Sequence, residues 1–354
     1  MKYLIDKLEQ ETRLNESEWI TLIANRTPEL AQYLATRARL VRKRHYGRDT
    51  YMRGLIELTN YCKQNCYYCG IRKENLALER YRLSRQEVLA CCKEGYELGF
   101  RTFVLQGGED NYYTDEELTT LLCDIHARYP DCAITLSLGE RTRESYQALF
   151  NAGADRYLLR HETANPEHYR RLHPASLTAA HRQQCLHDLK EIGYQVGTGF
   201  MVGSPFQTAE HLAEDMLFLK ELNPQMIGIG PFIPHHATPF REHPAGTLEL
   251  TLFMISLLRL MLPKVLLPST TSLGTIAFDG REQGILAGAN VIMPNLSPTA
   301  VRKKYLLYDN KICTTDEAVQ SFERAKQSME AIGYPLTVAR GDSLNVEMDY
   351  ATTQ

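Results

Sequence analysis

The stretch Leu55-Ile56-Glu57-Leu58-Thr59-Asn60-Tyr61-Cys62-Lys63-Gln64-Asn65-Cys66-Tyr67-Tyr68-Cys69-Gly70 joins a short apolar run to a loop bearing three thiols. Residues 55–58 have the length and composition of a buried strand, and the cysteines follow it at the spacing C-x3-C-x2-C. Further short apolar runs lie at 102–106, 133–138, 156–160, 195–202, 226–230, 265–268 and 290–293. Capped amphipathic segments separate them. Ser84-Arg85-Gln86-Glu87 and Thr114-Asp115-Glu116-Glu117 both fit the capping box, in which hydroxyl and carboxylate each satisfy an orphan backbone N–H. Eight strands alternating with helices over roughly 240 residues predict a closed (βα)8 TIM-type barrel. An open doubly wound sheet is the alternative, because strand count alone does not establish closure.

Outward from this core, two helical patterns come first. Asn15 or Ser17 can cap one helix; Thr27-Pro28-Glu29 caps a second that runs to His45 and ends at Gly47. The second carries a basic run, Arg37, Arg39, Arg42, Lys43 and Arg44, read as a solvated face or a docking patch. The expected organisation is a helical appendage at 1–50, the barrel at 51–300 and a C-terminal extension packing on it at 301–354.

Composition narrows the function. The 354 residues include 40 Lys+Arg and 43 Asp+Glu, a net charge of −3, and 44% are hydrophobic. Such a balance offers no cationic excess for nucleic acid and enough apolar mass for a large core. The most apolar window, 248–268, is interrupted by Glu249, Arg259, Pro263 and Lys264, so no membrane span is expected. The charged start lacks the apolar run of a signal peptide, and a cytoplasmic location follows. Nine cysteines in that setting should be thiols or metal ligands rather than disulfides.

Active sites of barrels sit at the C-terminal strand ends, where the cysteine loop lies. Thiolates favour zinc or iron–sulfur centres. A structural zinc site needs four ligands, and no second C-x2-C lies within reach of this loop. Three ligands leave one iron of a cubane open, although three structural thiols or zinc are the bland readings. Other polar groups fall at strand ends: Gly107-Gly108-Glu109 after the second, Ser137 after the third, Arg160-His161-Glu162 after the fourth, and Met201 after the fifth. An Arg160–Glu162 pair serves either as a structural bridge or as a fork for a carboxylate.

The cysteine loop resembles that of radical S-adenosylmethionine (SAM) enzymes. The resemblance implies a [4Fe–4S] cluster on Cys62, Cys66 and Cys69, with SAM on the fourth iron. It places Tyr68 beside the adenine and Gly107-Gly108-Glu109 at the methionine amine. Ser137, Glu162, Arg182 and Met201 complete the implied SAM shell.

Four segments narrow it further: Thr135-Leu136-Ser137-Leu138-Gly139-Glu140, residues 156–166, Gly228-Ile229-Gly230-Pro231-Phe232-Ile233-Pro234-His235, and Asn290-Val291-Ile292-Met293-Pro294-Asn295. Together they resemble the HydE family of [FeFe]-hydrogenase maturases, with biotin synthase and methylornithine synthase as nearby groups. The implied activity is reductive SAM cleavage to a 5′-deoxyadenosyl radical, acting on a cysteine-bound iron precursor with carbon monoxide and cyanide ligands. The implied substrate pocket holds Arg160, Thr270, Thr271, Met293 and Tyr305, though Thr270-Thr271 could instead cap a helix. Partners implied are HydG-like and HydF-like maturases and an external electron donor. Some members carry an accessory cluster on three C-terminal cysteines; here Cys313 is the last cysteine in the chain, so no second cluster is expected. Cys91, Cys92, Cys123, Cys132 and Cys185 read as core packing. Another radical SAM activity, or a non-enzymatic cluster carrier or zinc module, would be the competing functions.

Overall fold

The computed structural model describes residues 1–315 and 317–345. Its strands are β1 (Thr50–Met52), β2 (Gly54–Thr59), β3 (Thr102–Gly107), β4 (Ala133–Ser137), β5 (Arg156–Leu158), β6 (Gln195–Thr198), β7 (Met201–Val202), β8 (Met226–Ile227), β9 (Gly230–Pro231), β10 (Val291–Ile292) and β11 (Leu336–Thr337). Six of them, β2-β3-β4-β5-β6-β8, pair side by side in parallel. Parallel bridges Met226 to Leu266, Pro268 to Val291 and Asn295 to Leu55 carry the sheet round to its first strand. The ring closes, and the open-sheet alternative falls away.

Two expected strands are split. Residues 195–202 divide into β6 and β7, and 226–230 into β8 and β9; β7 and β9 pair with each other. At the first break a Cβ on Gly199 would stand 1.9 Å from the Gly228 carbonyl oxygen, so the backbones touch where only glycine fits. The seventh expected strand, 265–268, holds the ring by bridges alone; Pro268 has no N–H to extend a ladder.

Every residue of β2 is buried, as a parallel strand covered on both faces requires. The helices begin where the sequence places their caps. Asn15, Ser84 and Thr114 accept from the third residue of their helices, and Glu18, Glu87 and Glu117 reach back to complete the boxes. The helix Pro28–Tyr46 starts on Thr27 and ends at Gly47. It packs on Leu248–Met261, so that most apolar window lies in the core. Among the described residues no helix is long and apolar enough to cross a membrane.

The basic run is not a uniformly solvated face. Arg42 is fully buried, lies 4.2 Å from the Tyr334 ring centroid and donates to the Asp49 carbonyl at 2.7 Å. Arg37 and Arg44 both pair with Glu9. The cysteines also divide: Cys91, Cys92, Cys132 and Cys185 are buried, whereas Cys123 is exposed, because its helix turns that position to water.

The lower, N-terminal end of the barrel is sealed from far along the chain. β11 pairs with β1, and residues 340–345 cross beneath. There Arg156, 3% exposed, donates to the Arg340 carbonyl and to Asp342 at 2.6 Å. Burial opposes ionisation of Asp342, but Arg156, Gln195 and Arg340 outweigh it and hold the carboxyl well below its ordinary range. Asp342→Ala would leave the Arg156 guanidinium buried without its carboxylate. We expect a loss of about 1–3 kcal/mol, read as a lower urea midpoint. An unchanged midpoint would show that this strap adds nothing to the barrel.

Candidate functional site

The cysteine loop leaves the top of β2 and lies on the end of β3. A Cβ on Gly108 would stand 2.1 Å from the Tyr61 carbonyl oxygen and 2.8 Å from Cys62 Cβ, so this contact requires a glycine. Lys63 N–H donates to the Glu109 carbonyl at 2.9 Å, and Gly70 N–H to that of Leu307 at 2.8 Å. Both ends of the loop are therefore pinned by backbone.

All three cysteines are half-buried. Burial raises each thiol's pKa: Cys62 moderately, Cys66 well above its ordinary value, and Cys69 to about 12. Without a metal they are neutral thiols, and binding must displace their protons. Among the described residues, the one set of three ligand-type side chains gathered within 4.8 Å is His235, His236 and Asp309. Three thiolates from one loop would leave one iron of a four-iron cubane without a protein ligand, whereas a closed structural zinc site takes four.

Around the loop the strand ends supply charge. Glu109 is 8% exposed and accepts from Gln64 Nε2 at 2.7 Å and from the Glu140 N–H at 3.2 Å. Gly139, at φ +75°, leaves the space this carboxylate occupies; a Cβ there would sit 2.0 Å from Glu109 Cγ. Arg182 ties the two acids together, with Nε 2.7 Å from Glu140 and Nη2 3.9 Å from Glu109. Burial disfavours its charge, yet Tyr169, Glu140 and Glu109 outweigh that and keep the guanidinium protonated. Glu140 itself is pushed up by burial against the pull of Arg182.

Glu162 stands across from these groups. Its backbone takes φ +65°, a left-handed conformation that a non-glycine residue adopts at some cost, fixed by its N–H on the Gly199 carbonyl at 3.0 Å. Beside it the buried His161 bonds Thr198 at 2.9 Å and Asp215 at 3.2 Å, which holds this turn from below. Tyr68 lies between the two sides. Burial first, then Glu162, Cys66 and Cys69, raise its hydroxyl's pKa against the opposing Arg182. The tyrosine O–H reaches His173 Nε2 at 3.1 Å, and the ring packs with Met201, Leu172, Phe232 and Phe240. Ser137 ends β4 opposite Gln106.

A second group lies within the barrel mouth. Arg160 Nη2 is 3.1 Å from Glu162 Oε2, while its buried Nε and Nη2 make no hydrogen bond. Thr270 occupies a helix N-cap position, but its side chain makes no capping bond; its Oγ1 pairs with Ser272 Oγ at 2.9 Å. A Cβ on Gly230 would collide with both hydroxyls, so β9 comes close beneath them. Thr271 and Met293 are half-buried. Tyr305 is buried, and its hydroxyl accepts from Gln106 at 3.2 Å.

The positions named from sequence thus gather at one end of one barrel, in two adjoining groups. Within the first group Arg182 is paired with Glu140 and Glu109. Sequence reasoning assigned no role to Glu140, Gln64, His173 or Ser272. Nor did it find the buried Glu57–Lys311 pair, 2.5 Å apart, which joins β2 to the C-terminal extension. An acid after a glycine just beyond a strand end was the one available signal, and only for Glu140.

Comparison with known proteins places this geometry. Residues 56–219 match the model of the Radical SAM superfamily. The chain is 44% identical over 293 residues to the [FeFe] hydrogenase maturase subunit HydE of Thermotoga maritima, covering 83% of each chain. It superposes on methylornithine synthase (PylB) with a TM-score of 0.82 and 26% identity, over 94% of this chain and 97% of that one. HydG, a maturase of the [FeFe]-hydrogenase, shares the fold at a TM-score of 0.81 and 18% identity, over 95% of this chain and 76% of that one.

Two buried imidazoles, His173 against Tyr68 and His168 on the short helix before it, give the fold a pH limit. His173 Nδ1–H donates to the Tyr169 carbonyl, and His168 Nε2–H to that of Pro205. Burial depresses His168 to about 4 and His173 to about 3. The unfolded chain takes up these protons near pH 6.5 and the folded chain does not, so their stabilisation is present above 6.5 and lost below it. Each contributes roughly 1.4 kcal/mol per pH unit, giving about 3 kcal/mol lower stability at pH 5.5 than at 7.5. Denaturant titrations at the two pH values check this; equal stabilities would mean that the imidazoles become charged within the fold.

Proposed function

The chain belongs to the HydE family of [FeFe]-hydrogenase maturases, and from that premise we propose how its own residues divide the work of a radical SAM enzyme. A [4Fe–4S] cluster, when bound, would supply the electron for reductive cleavage of SAM to methionine and a 5′-deoxyadenosyl radical. Cys62, Cys66 and Cys69 would hold that cluster, and the single observation carrying this assignment is their place on one doubly pinned loop inside the segment that matches the Radical SAM superfamily. With three ligands from the chain, one iron is left for SAM.

Glu109 receives the methionine amine, because its carboxylate is already fixed by Gln64 and the Glu140 N–H. Arg182 faces the methionine carboxylate, its charge secured by Glu140. Glu162 anchors the ribose side from its strained turn, and Tyr68 with Met201 walls the adenine. Ser137 adds a hydroxyl at the neighbouring strand end. His173 keeps Tyr68 from turning by accepting its hydroxyl proton in a hydrogen bond.

The substrate end is the mouth formed by Arg160, Thr270, Thr271, Met293 and Tyr305. Arg160 has a buried Nε with no acceptor beside the Nη2 that faces Glu162, a costly state unless an anion fills it. The hydroxyls of Thr270 and Thr271, from the other side of the ring, supply further donors. An anionic, cysteine-bound iron with carbon monoxide and cyanide ligands would fit that set as the substrate. We place the product in a sequence with HydG-like and HydF-like maturases and an external electron donor. One cluster per chain completes the reading, since residues 314–354 contain no cysteine to join Cys313.

Anaerobic reconstitution should give about four irons and four sulfides per chain. Cys62→Ser, Cys66→Ser and Cys69→Ser should each abolish SAM cleavage, and Glu162→Gln should weaken SAM binding with cluster absorbance intact. Zinc without labile sulfide, or SAM affinity unchanged in both Glu162→Gln and Arg182→Ala, would overturn these assignments.

Arg160→Ala separates the two ends of the site. Loss of a charged hydrogen bond to a buried ligand costs about 1.5–3 kcal/mol, roughly ten- to a hundredfold in substrate affinity. The variant should still form 5′-deoxyadenosine slowly without substrate but fail in a hydrogenase-maturation assay. Full maturation by Arg160→Ala would show that the pocket lies elsewhere.

A further inference from the structure

Behind the cysteine loop, two chain segments meet in a cluster that this reading of the active site leaves unused. His235 and His236 follow β9, and Asp309 lies in the C-terminal extension. The Asp309 N–H donates to the Pro234 carbonyl at 3.1 Å, and the His236 N–H donates to Asp309 Oδ2 at 2.8 Å. That second bond orients the carboxylate so that Oδ1 faces both imidazoles. It lies 2.7 Å from His236 Nδ1 and 3.8 Å from His235 Nε2. The rings stack, with centroids 4.3 Å apart and planes 24° apart.

We propose that His235, His236 and Asp309 form a second metal site, for a divalent ion of the zinc class. All three ligand atoms lie within 4.8 Å of one another. Ligands of a tetrahedral ion with bonds of about 2.0–2.1 Å stand about 3.3 Å apart, and the two separations from Oδ1 bracket that spacing. The 3.8 Å gap is too long for a hydrogen bond and of the size an ion bridges. Two imidazoles exclude magnesium and calcium, which take oxygen ligands. Three protein ligands leave a fourth position for water.

The protons balance without net release. His236 Nδ1–H gives up its bond to Asp309, and the ring carries its proton on Nε2 instead, at a side chain 73% exposed to water. On His235 the Ala237 N–H donates to Nδ1 at 3.1 Å, which puts that ring's proton on Nε2 in the metal-free form. Metal binding moves it to Nδ1 and forfeits that hydrogen bond. The site is therefore weaker than an unopposed three-ligand centre.

The ion would sit where it matters for the loop. A Cβ on Gly70 would meet the Leu307 carbonyl oxygen at 2.2 Å and His235 Cδ2 at 2.3 Å, so His235 and the extension both press on the residue after Cys69. Joining 235–236 to 309 through a metal clamps the extension across the back of the cluster loop.

The test is equilibrium dialysis of the anaerobic, cluster-loaded, tag-free protein against zinc, with metals counted by mass spectrometry. Wild type should bind one zinc per chain beyond its iron. His236→Ala and the shape-conserving Asp309→Asn should each weaken it at least tenfold, with cluster iron and absorbance unchanged. Absence of a saturable zinc, or equal affinity in both variants, would overturn the site, whatever the outcome for the catalytic assignments.

Discussion

The rim of this barrel depends on one close approach, the cysteine loop lying on the end of β3 at Gly108. No side chain fits between Gly108 and the Tyr61 carbonyl, so the first cysteine is held against the strand that carries Glu109. A single added methyl group would lift the loop and move Cys62 relative to that carboxylate. The same economy recurs at Gly139, whose missing Cβ is the space filled by Glu109, and at Gly230, which lets two hydroxyls overhang β9. Glycine here provides proximity more than flexibility.

Charge is handled by pairing each buried group before any ligand arrives. Glu109, Glu140 and Arg182 form one set and Arg160 with Glu162 another, with Tyr68 between them. Preorganisation of this kind removes the need to reorient dipoles when a charged substrate binds. It also leaves a recognisable signature, since Arg160 keeps a buried Nε without an acceptor even while Nη2 faces Glu162. At the opposite end of the barrel Arg156 and Asp342 use the same pairing simply to seal the core.

Much of this was legible in the sequence because it is local. Capping boxes at Ser84 and Thr114 depend on four consecutive residues, and the C-x3-C-x2-C loop directly follows its strand. Other features depend on partners far apart in the chain. The Glu57–Lys311 pair, the Tyr68–His173 contact and the strap of residues 340–345 leave no periodic trace. The strand at 265–268 looks as apolar as the others, yet proline reduces it to two bridges. Cys123 and Arg42 were misjudged for one reason: residue type sets an average burial, and the packing of each helix decides the individual case.

The central claim is that the three cysteines leave one iron free for SAM inside this preorganised ring of charges. Mössbauer spectroscopy of the iron-57-reconstituted protein, with and without SAM, tests it most directly. One iron in four should change its isomer shift and quadrupole splitting on SAM addition, while the other three keep theirs. A spectrum unaltered by saturating SAM would contradict the account, because it would mean that no iron stands open to the ligand.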